Sequence, residues 1–332
     1  MNAQTPKIVV VTPIKNEEWI LDRFLSVTSQ FADLIIIADQ NSTDGSREIC
    51  QKYPKVKLIE NKSEQYDESS RQILLLQTAR ELVPEHKIIL ALDADEILAA
   101  NAIHTIGWQT MLQATPGTVL CFEKPDLYLT PYKCIRFDKP WPLGYVDDGV
   151  EHQPKKVHSI RVPQPKYATY LYIHDVIILH YGLTRPEAQA SKVRFYSVLE
   201  KMLKTKNFLI RRKAYNSKID WTKSGEIGAS SENWFLGWES IGIDMKSVKN
   251  SEYYWWDYEI LKHFKNHGYW KFWLDDIWDF DWEAFRQYVQ TLENIEIFNS
   301  RIIPPPKPFR KFLGLATKTI ENIKEIIRIT LL

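Results

Sequence analysis

The chain has 332 residues, 44% of them hydrophobic, with 43 Lys and Arg against 42 Asp and Glu and a formal net charge of +1. That length can bury one substantial core and an appended subdomain. The balanced charge carries no polyanion-binding signal, so nucleic acid is not an expected partner.

The first predicted element is residues 7–11, Lys-Ile-Val-Val-Val, a short bounded apolar run of the kind that forms a strand buried on both faces. Thr12-Pro13-Ile14-Lys15-Asn16-Glu17-Glu18 follows. Pro13 disfavours helix at Thr12, and Asn16 is placed to cap a helix that starts near Glu17. On that helix Trp19, Ile20, Phe24 and Val27 recur at spacings of three and four. A second strand over 33–38 runs into Asp39-Gln40-Asn41-Ser42-Thr43-Asp44-Gly45-Ser46, a loop of turn and cap residues. A helix to Tyr53, a strand over 56–59 and a helix over 68–82 come next. The strand after them begins at Ile88 and ends in Asp93-Ala94-Asp95-Glu96.

Strand and helix alternating in this way predict a parallel sheet with right-handed crossovers, whose ligands bind at the carboxyl ends of the strands. Three polar clusters, at Thr12, at 39–44 and at 93–96, all fall at such ends. A buried strand that finishes in carboxylates suits a hard divalent ion held through oxygen, and that ion can in turn hold a phosphate. A solvated acidic turn is the alternative for an isolated Asp-X-Asp.

Taken together and in order, Val11-Thr12-Pro13-Ile14-Lys15-Asn16-Glu17, Asp39-Gln40-Asn41-Ser42-Thr43-Asp44-Gly45-Ser46 and Asp93-Ala94-Asp95-Glu96 resemble the three motifs of family 2 glycosyltransferases of the A-type fold. Ile178-Leu179-His180-Tyr181-Gly182 resembles a stretch late in the catalytic domain of many such enzymes. The resemblance implies a Rossmann-like, mostly parallel α/β sheet flanked by helices, with a nucleotide diphosphate sugar bound over the strand ends. It implies nucleotide-sugar contacts at Thr12, Pro13, Asn16 and Glu17. Asp39 would accept from the base N3–H, which favours a UDP- or dTDP-sugar. Asp44 either joins those contacts or supports the turn at Gly45. Arg71 would reach the base or diphosphate, and Asp93 the ribose or the metal. Asp95 would be the main ligand of Mn²⁺ or Mg²⁺, with His180 a further candidate. Inversion at the anomeric carbon, and a role in surface polysaccharide assembly, are implied in the same way.

Displacing a nucleoside diphosphate from an anomeric carbon builds negative charge on the leaving phosphate, which a cation held by Asp95 would neutralise. Direct attack by an acceptor hydroxyl also needs a carboxylate base. Many relatives carry a His-Glu pair ahead of the His-Tyr-Gly stretch. If Val157-His158-Ser159 aligns with it, Ser159 replaces the acid. Asp147, Asp148 and Glu151 are then the expected base candidates, with His158 as orienter.

The second half differs in texture, with nine of the twelve Trp residues after residue 220. Such rings either line an acceptor groove or build the core of a small helical subdomain. Lys201, Lys204, Lys206, Arg211, Arg212 and Lys213 read as a solvated helical face, or as a site for an acceptor or lipid phosphate. Pro304-Pro305-Pro306 and Pro308 make a stiff linker. Beyond it Phe309, Phe312, Leu313, Ile320, Ile323, Ile327 and Leu331 recur at helical spacing among Lys311, Lys318, Lys324 and Arg328, a basic amphipathic helix.

The expected organisation is therefore a nucleotide-sugar-binding catalytic domain over 1–185, an aromatic-rich helical subdomain over 186–303, and the linker and basic helix over 304–332. Three cysteines without metal spacing, no signal-peptide pattern and no bilayer-length apolar run predict a cytoplasmic protein. Residues 309–332 offer peripheral contact with the inner face of a membrane. The expected acceptor is a carbohydrate or a lipid-linked one. Two other readings are a nucleotidyltransferase, for which 12–18 lacks the Gly-rich loop, and a degenerate transferase serving as a glycan-binding or scaffold protein.

Overall fold

The computed structural model describes residues 5–63, 66–215, 225–292 and 300–330, with the backbone alone over 320–330. It divides into two compact units. One is Met1–Arg185 with Trp221–Asn250, and the other is Pro186–Asp220 with Ser251–Leu332.

In the first unit β1 (Lys7–Ile14), β2 (Leu34–Asp39), β3 (Val56–Glu60) and β4 (Lys87–Ala91) lie parallel in the spatial order β3-β2-β1-β4. Helices α1 (Glu18–Thr28), α2 (Ser46–Cys50) and α3 (Glu68–Leu82) make the crossovers. These strands are apolar on both sides because alternate residues feed opposite layers. Val10, Ile35, Ile37 and Ile88 belong to the core that contains Ile20, Leu21, Phe24 and Leu25 of α1. Val9, Val11, Ile36 and Ile89 belong to the other, with Leu75, Leu76 and Ala79 of α3.

The chain then lays down β5 (Glu96–Leu98), α4 (Ile106–Leu112), β6 (Thr118–Glu123), β7 (Asp126–Leu127), β8 (Lys133–Arg136), β9 (Trp141–Val146) and β10 (Thr169–His180). With β11 (Glu226–Ala229) they complete an eleven-stranded sheet among the described residues, ordered β11-β8-β7-β10-β6-β9-β4-β1-β2-β3, with β5 paired to β10. β9 runs antiparallel to both β4 and β6, so β6 and the β10 beside it point the same way as β1 to β4. The carboxyl ends of β1, β2, β4, β6 and β10 therefore share one rim, together with the start of β9.

Residues 225–250 return to this unit. Trp238 of the short α7 (Leu236–Glu239) donates its Nε1–H to the Leu98 carbonyl at 2.7 Å, and the Ala100 N–H donates to the Trp234 carbonyl at 2.9 Å. Tyr181 donates its hydroxyl to the Met245 carbonyl at 2.7 Å. The chain just after the strand-end turn, at Leu98 and Ala100, is thus held by a segment far away in sequence.

The second unit holds α5 (Pro186–Leu203), α6 (Phe208–Ala214), α8 (Trp255–His267), α9 (Trp282–Gln290) and α10 (Lys307–Thr330). Its aromatic residues build a core. The Phe264 ring stacks on Trp278 at 5.7 Å and meets Trp282 edge-on at 5.1 Å. Four of the six residues of the basic run, Lys201, Lys206, Arg211 and Arg212, are engaged in ion pairs, while Lys204 and Lys213 are exposed. Lys201 and Arg211 both reach Asp275, at 2.6 and 2.9 Å, and the Asp275 side chain is fully buried. Lys206 pairs with Glu200. On α10, Phe309, Phe312 and Leu315 are exposed.

Candidate functional site

The loop after β1 and the loop after β2 are knitted together at the rim. Asn16 has a left-handed backbone, φ 57°, a conformation Asn tolerates better than most residues. Its side chain accepts the Thr43 N–H at 2.7 Å, and its own N–H donates to Ser42 Oγ at 2.9 Å. Asn16 therefore does not cap α1 as its position in sequence suggests. The first amides of that helix are satisfied across the gap instead. Glu17 N–H donates to Ser46 Oγ at 2.9 Å, and Glu18 N–H to Asp44 Oδ2 at 3.0 Å. Asp44 also accepts the Ser46 N–H at 3.0 Å, so its carboxylate is spent on the two loops.

Asp39, at the end of β2, is 1% exposed. It accepts the Ser42 N–H at 3.2 Å and pairs with Arg47 at 2.6 Å. Thr12, beside it on β1, is wholly buried, and its Oγ1 has no hydrogen-bond partner. An orphaned buried hydroxyl at a strand end is costly unless something else uses it. Pro13 is the penultimate residue of the same strand, and Glu17 accepts the Trp19 indole N–H at 2.8 Å.

The acidic turn after β4 is organised around Glu96, whose side chain is fully buried. Glu96 accepts from Lys124 Nζ at 2.9 Å, from the Asp93 N–H at 3.0 Å, and from Arg161. Arg161 also reaches Asp93 at 2.6 Å. Burial alone would raise the Glu96 carboxyl, but Arg161 and Lys124 outweigh it and hold the group well below the usual carboxylate range.

Arg161 arrives there by a traceable path. Residues 147–161 run along α3 from its end to its start: Asp147 against Arg80, His152 against Gln72 at 3.2 Å, and Ser159 N–H against Glu68 at 2.9 Å. From residue 68 to residue 80 the helix rises about 18 Å. Its start, with Arg71 over the Tyr66 ring at 5.0 Å, therefore lies at the same rim as Asp93 and Asp95.

Asp95 faces His180, the last residue of β10, with Oδ2 3.4 Å from Nε2. His180 Nδ1 is 2.5 Å from Asp126 Oδ1, a carboxylate that orients the ring and leaves Nε2 directed at Asp95. Burial and the Lys124 ammonium push the His180 imidazolium down, the two flanking carboxylates push it up, and the carboxylates win, to about 9. Gly182 keeps the neighbouring space open: a Cβ there would stand 2.8 Å from His180 Nε2 and 3.3 Å from Asp95 Oδ2.

One carboxylate and one imidazole beside a gap fit a divalent ion that takes its remaining ligands from water and a diphosphate. No group of three His, Cys, Asp or Glu side chains around one point occurs among the described residues. Asp93 offers one carboxylate oxygen to Arg161 at 2.6 Å.

The rim thus gathers Thr12, Pro13, Asn16, Glu17, Asp39, Asp44, Arg71, Asp93, Asp95 and His180. It does not gather the three acids expected as bases. β9 is antiparallel to β4, so its end lies at the start of β4: Asp147 N–H donates to the Lys87 carbonyl at 3.0 Å, and its carboxylate pairs with Lys87 at 3.0 Å and Arg80 at 2.8 Å. Burial opposes ionisation of Asp147, but those two cations hold it below the ordinary range. Asp148 accepts from the Tyr145 hydroxyl at 2.7 Å, and Glu151 is exposed just beyond Val150, whose carbonyl accepts from Arg80 at 2.8 Å. Asp147 and Asp148 sit at the opposite rim, and Glu151 lies along α3 between the contacts to Arg80 and Gln72.

Sequence reasoning missed Lys124, Asp126 and Arg161. The first two follow the apolar run of β6 as Lys-Pro-Asp, the same strand-end signal that marks 93–96. Arg161 lies in an irregular loop with no local pattern.

Residues 9–106 match the family profile described as Glycosyl transferase family 2. No curated protein matches the chain. Among solved structures it is similar to a 4-diphosphocytidyl-2C-methyl-D-erythritol synthase, at 16% identity and a TM-score of 0.28, over 35% of this chain and 59% of that one. It is also similar to glucosyl-3-phosphoglycerate synthase from Mycobacterium tuberculosis, solved with Mn²⁺, UDP and glucosyl-3-phosphoglycerate, at 17% identity and a TM-score of 0.27, over 36% of this chain and 44% of that one. The chain thus spans less than two thirds of either protein, and at such scores neither substrate nor mechanism carries over. The match to the glycosyl transferase family 2 profile falls on residues 9–106, under a third of the chain, which build β1 to β5 and hold Thr12, Asp39, Asp93 and Asp95.

Proposed function

We propose that the chain is a glycosyltransferase that moves a sugar from a UDP- or dTDP-sugar to an acceptor hydroxyl, with Mn²⁺ or Mg²⁺ held by Asp95 and His180. The supporting observation is the convergence of strand ends from β1, β2, β4 and β10 on one rim, where Gly182 leaves space beside two ligand-capable atoms. The bound cation would supply charge neutralisation at the diphosphate. Thr12 Oγ1 and the Asp39 carboxylate would meet the base and ribose, and Arg71 the base or diphosphate. In the reaction the acceptor oxygen bonds to the anomeric carbon while the bond from that carbon to the diphosphate oxygen breaks. The nucleoside diphosphate leaves with the electron pair, and the hydroxyl proton passes to a base. Inversion and a place in surface polysaccharide assembly are carried by the family resemblance.

The test is a thermal-shift and calorimetric screen of UDP, dTDP and GDP with and without Mn²⁺, followed by metal-dependent release of UDP from UDP-sugars. UDP or dTDP should bind with metal, and Asp95→Ala should abolish the metal-dependent part. Binding that ignores metal, or survives Asp95→Ala unchanged, removes the metal role. No nucleotide binding at all removes the transferase reading.

The tail extends the proposal to a peripheral membrane location. No helix among the described residues is long and apolar enough to cross a bilayer. Phe309, Phe312 and Leu315 are exposed among Lys307, Lys311 and Lys318, a composition that suits an anionic lipid surface. Ile320, Ile323, Ile327 and Leu331 lie outside the described side chains. The intact chain should float with phosphatidylglycerol vesicles and lose that property without 309–332; failure of the intact chain to float ends the idea.

A further inference from the structure

The acidic turn after β4 carries a cation of its own. Asp93, Asp95 and Glu96 share that turn, which is closed by the Glu96 N–H on the Asp93 carbonyl at 2.9 Å. Arg161 lays its guanidinium across it as a fork: Nη1 meets Glu96 Oε2, and Nη2 meets Asp93 Oδ2 at 2.6 Å. The two arms are unequal. The Glu96 side chain is fully buried, while that of Asp93 is 33% exposed. Desolvation disfavours the charged form of Arg161, but the Asp93, Glu96 and Asp95 carboxylates outweigh it and raise the group above its ordinary value. Its backbone is fixed on both sides. The Ser159 N–H donates to Glu68 at 2.9 Å, and Val162 is wholly buried in the core that contains Leu75 and Leu76. A change of partner by Arg161 is therefore a swing of its side chain rather than of the loop.

We infer that Arg161 is an internal counter-ion that couples the two ligands of the rim: it neutralises Asp93 in the free protein, and gives up Asp93 while keeping Glu96 when a divalent ion and a nucleoside diphosphate arrive together. The inference rests on the ion proposed at Asp95 and His180 and says how that site is regulated. Asp95 lies two residues from Asp93, so an ion there shares the turn with the guanidinium and is repelled by it. An ion that comes alone meets that repulsion with one carboxylate and one imidazole to hold it. When a diphosphate comes with it, anionic oxygens lie near both cations, and the released arm of the fork gains an acceptor in place of Asp93. Each ligand then strengthens the other, and by the same factor. The unequal arms make this exchange one-sided: the buried Glu96 end is the anchor, and the partly exposed Asp93 end is the one that lets go. Lys124 has no such freedom. Its side chain is 6% exposed, takes Glu96 Oε1 at 2.9 Å and lies over the Trp141 ring at 4.3 Å, which commits it to the framework.

The experiment reads Mn²⁺ binding to the full chain by electron paramagnetic resonance, from the loss of free-ion signal, with and without UDP. Wild type, Arg161→Gln and Arg161→Lys are compared. In wild type UDP should tighten Mn²⁺ binding at least about tenfold. Arg161→Gln removes the competing charge, so Mn²⁺ alone should bind at least about fivefold more tightly than to wild type, and the gain from UDP should fall below about threefold. Arg161→Lys keeps the test open if the Gln variant does not fold. One ammonium satisfies the buried Glu96 but cannot fork to Asp93, so both quantities should move in the same directions by at least about twofold. A merely structural role has the opposite sign, because a damaged turn binds Mn²⁺ less well. Mn²⁺ affinity that is unchanged or weaker in the folded variants overturns the counter-ion role, as does Mn²⁺ binding to none of the three proteins. A gain from UDP that persists in full in the variants overturns the coupling. Tighter Mn²⁺ binding by the variants, with UDP bound by no protein, keeps Arg161 as the counter-ion and removes the transferase reading.

Discussion

Glu96→Gln tests whether the acidic turn is built from the inside. The Glu96 carboxylate is fully buried and receives Lys124, whose side chain is 6% exposed, and Arg161, which is 25% exposed. Glutamine keeps the shape and one acceptor oxygen but deletes the charge, leaving the Lys124 ammonium buried without its counterion. Breaking a buried pair from one side costs about 3–5 kcal/mol. Arg161 retains Asp93 at 2.6 Å and some solvent, so its share is discounted and the lower end, about 3 kcal/mol, is the expectation. For a unit of this size that lowers the melting temperature by about 6–12 °C. The pH dependence follows from the depressed carboxyl. A group held below its unfolded value stabilises the fold above that value, near about 4.3, and loses the contribution as pH falls toward its folded value. Melts of wild type and variant between about pH 7 and pH 3 should therefore converge as acidity rises. Equal stability at neutral pH, or a gap that does not narrow in acid, refutes the reasoning.

Three further outcomes follow from the same geometry. Gly182→Ala places a methyl 2.8 Å from His180 Nε2, so calorimetry should show Mn²⁺-dependent UDP binding weakened at least about tenfold while both ligands remain; unchanged binding would put the ion elsewhere. Thr12→Val removes a buried hydroxyl without a partner, so urea unfolding should find the free protein as stable or more stable by about 1 kcal/mol while nucleotide affinity falls; a less stable protein with full affinity would make Thr12 a structural residue only. Asp147→Asn should cost about 2–3 kcal/mol in urea unfolding because it strips the partner from Lys87 and Arg80, yet leave turnover per folded molecule intact; lost turnover in a stable variant would restore the base role.

The contrast between Asp95 and Asp147 explains what the sequence made legible. Asp95 ends an apolar strand within an unbroken strand-helix alternation, where each crossover returns the chain to the same rim, so local order alone predicts where it stands. Asp147 also ends an apolar strand, but β9 is antiparallel, and a strand-end acid in a reversed strand arrives at the opposite side. Nothing in residues 141–152 announces that reversal, since an apolar strand reads the same in either direction. The same limit hides Arg161: its position depends on 147–161 running the length of α3, which is fixed by pairwise contacts to Arg80, Gln72 and Glu68 rather than by any pattern in the loop itself. Lys124 and Asp126 were accessible in principle, because β6 and β10 restore the parallel sense and bring their ends back to the rim. A strand-end polar cluster is therefore informative only once strand direction is known, and in this chain direction is legible up to β4 and lost at the first antiparallel neighbour. The helical second unit gives a parallel case. Its aromatic residues and its basic residues were both open to a binding role, and the contacts of Phe264 and Asp275 commit much of each set to the interior, as expected of a small core that needs large rings and compensated buried charge.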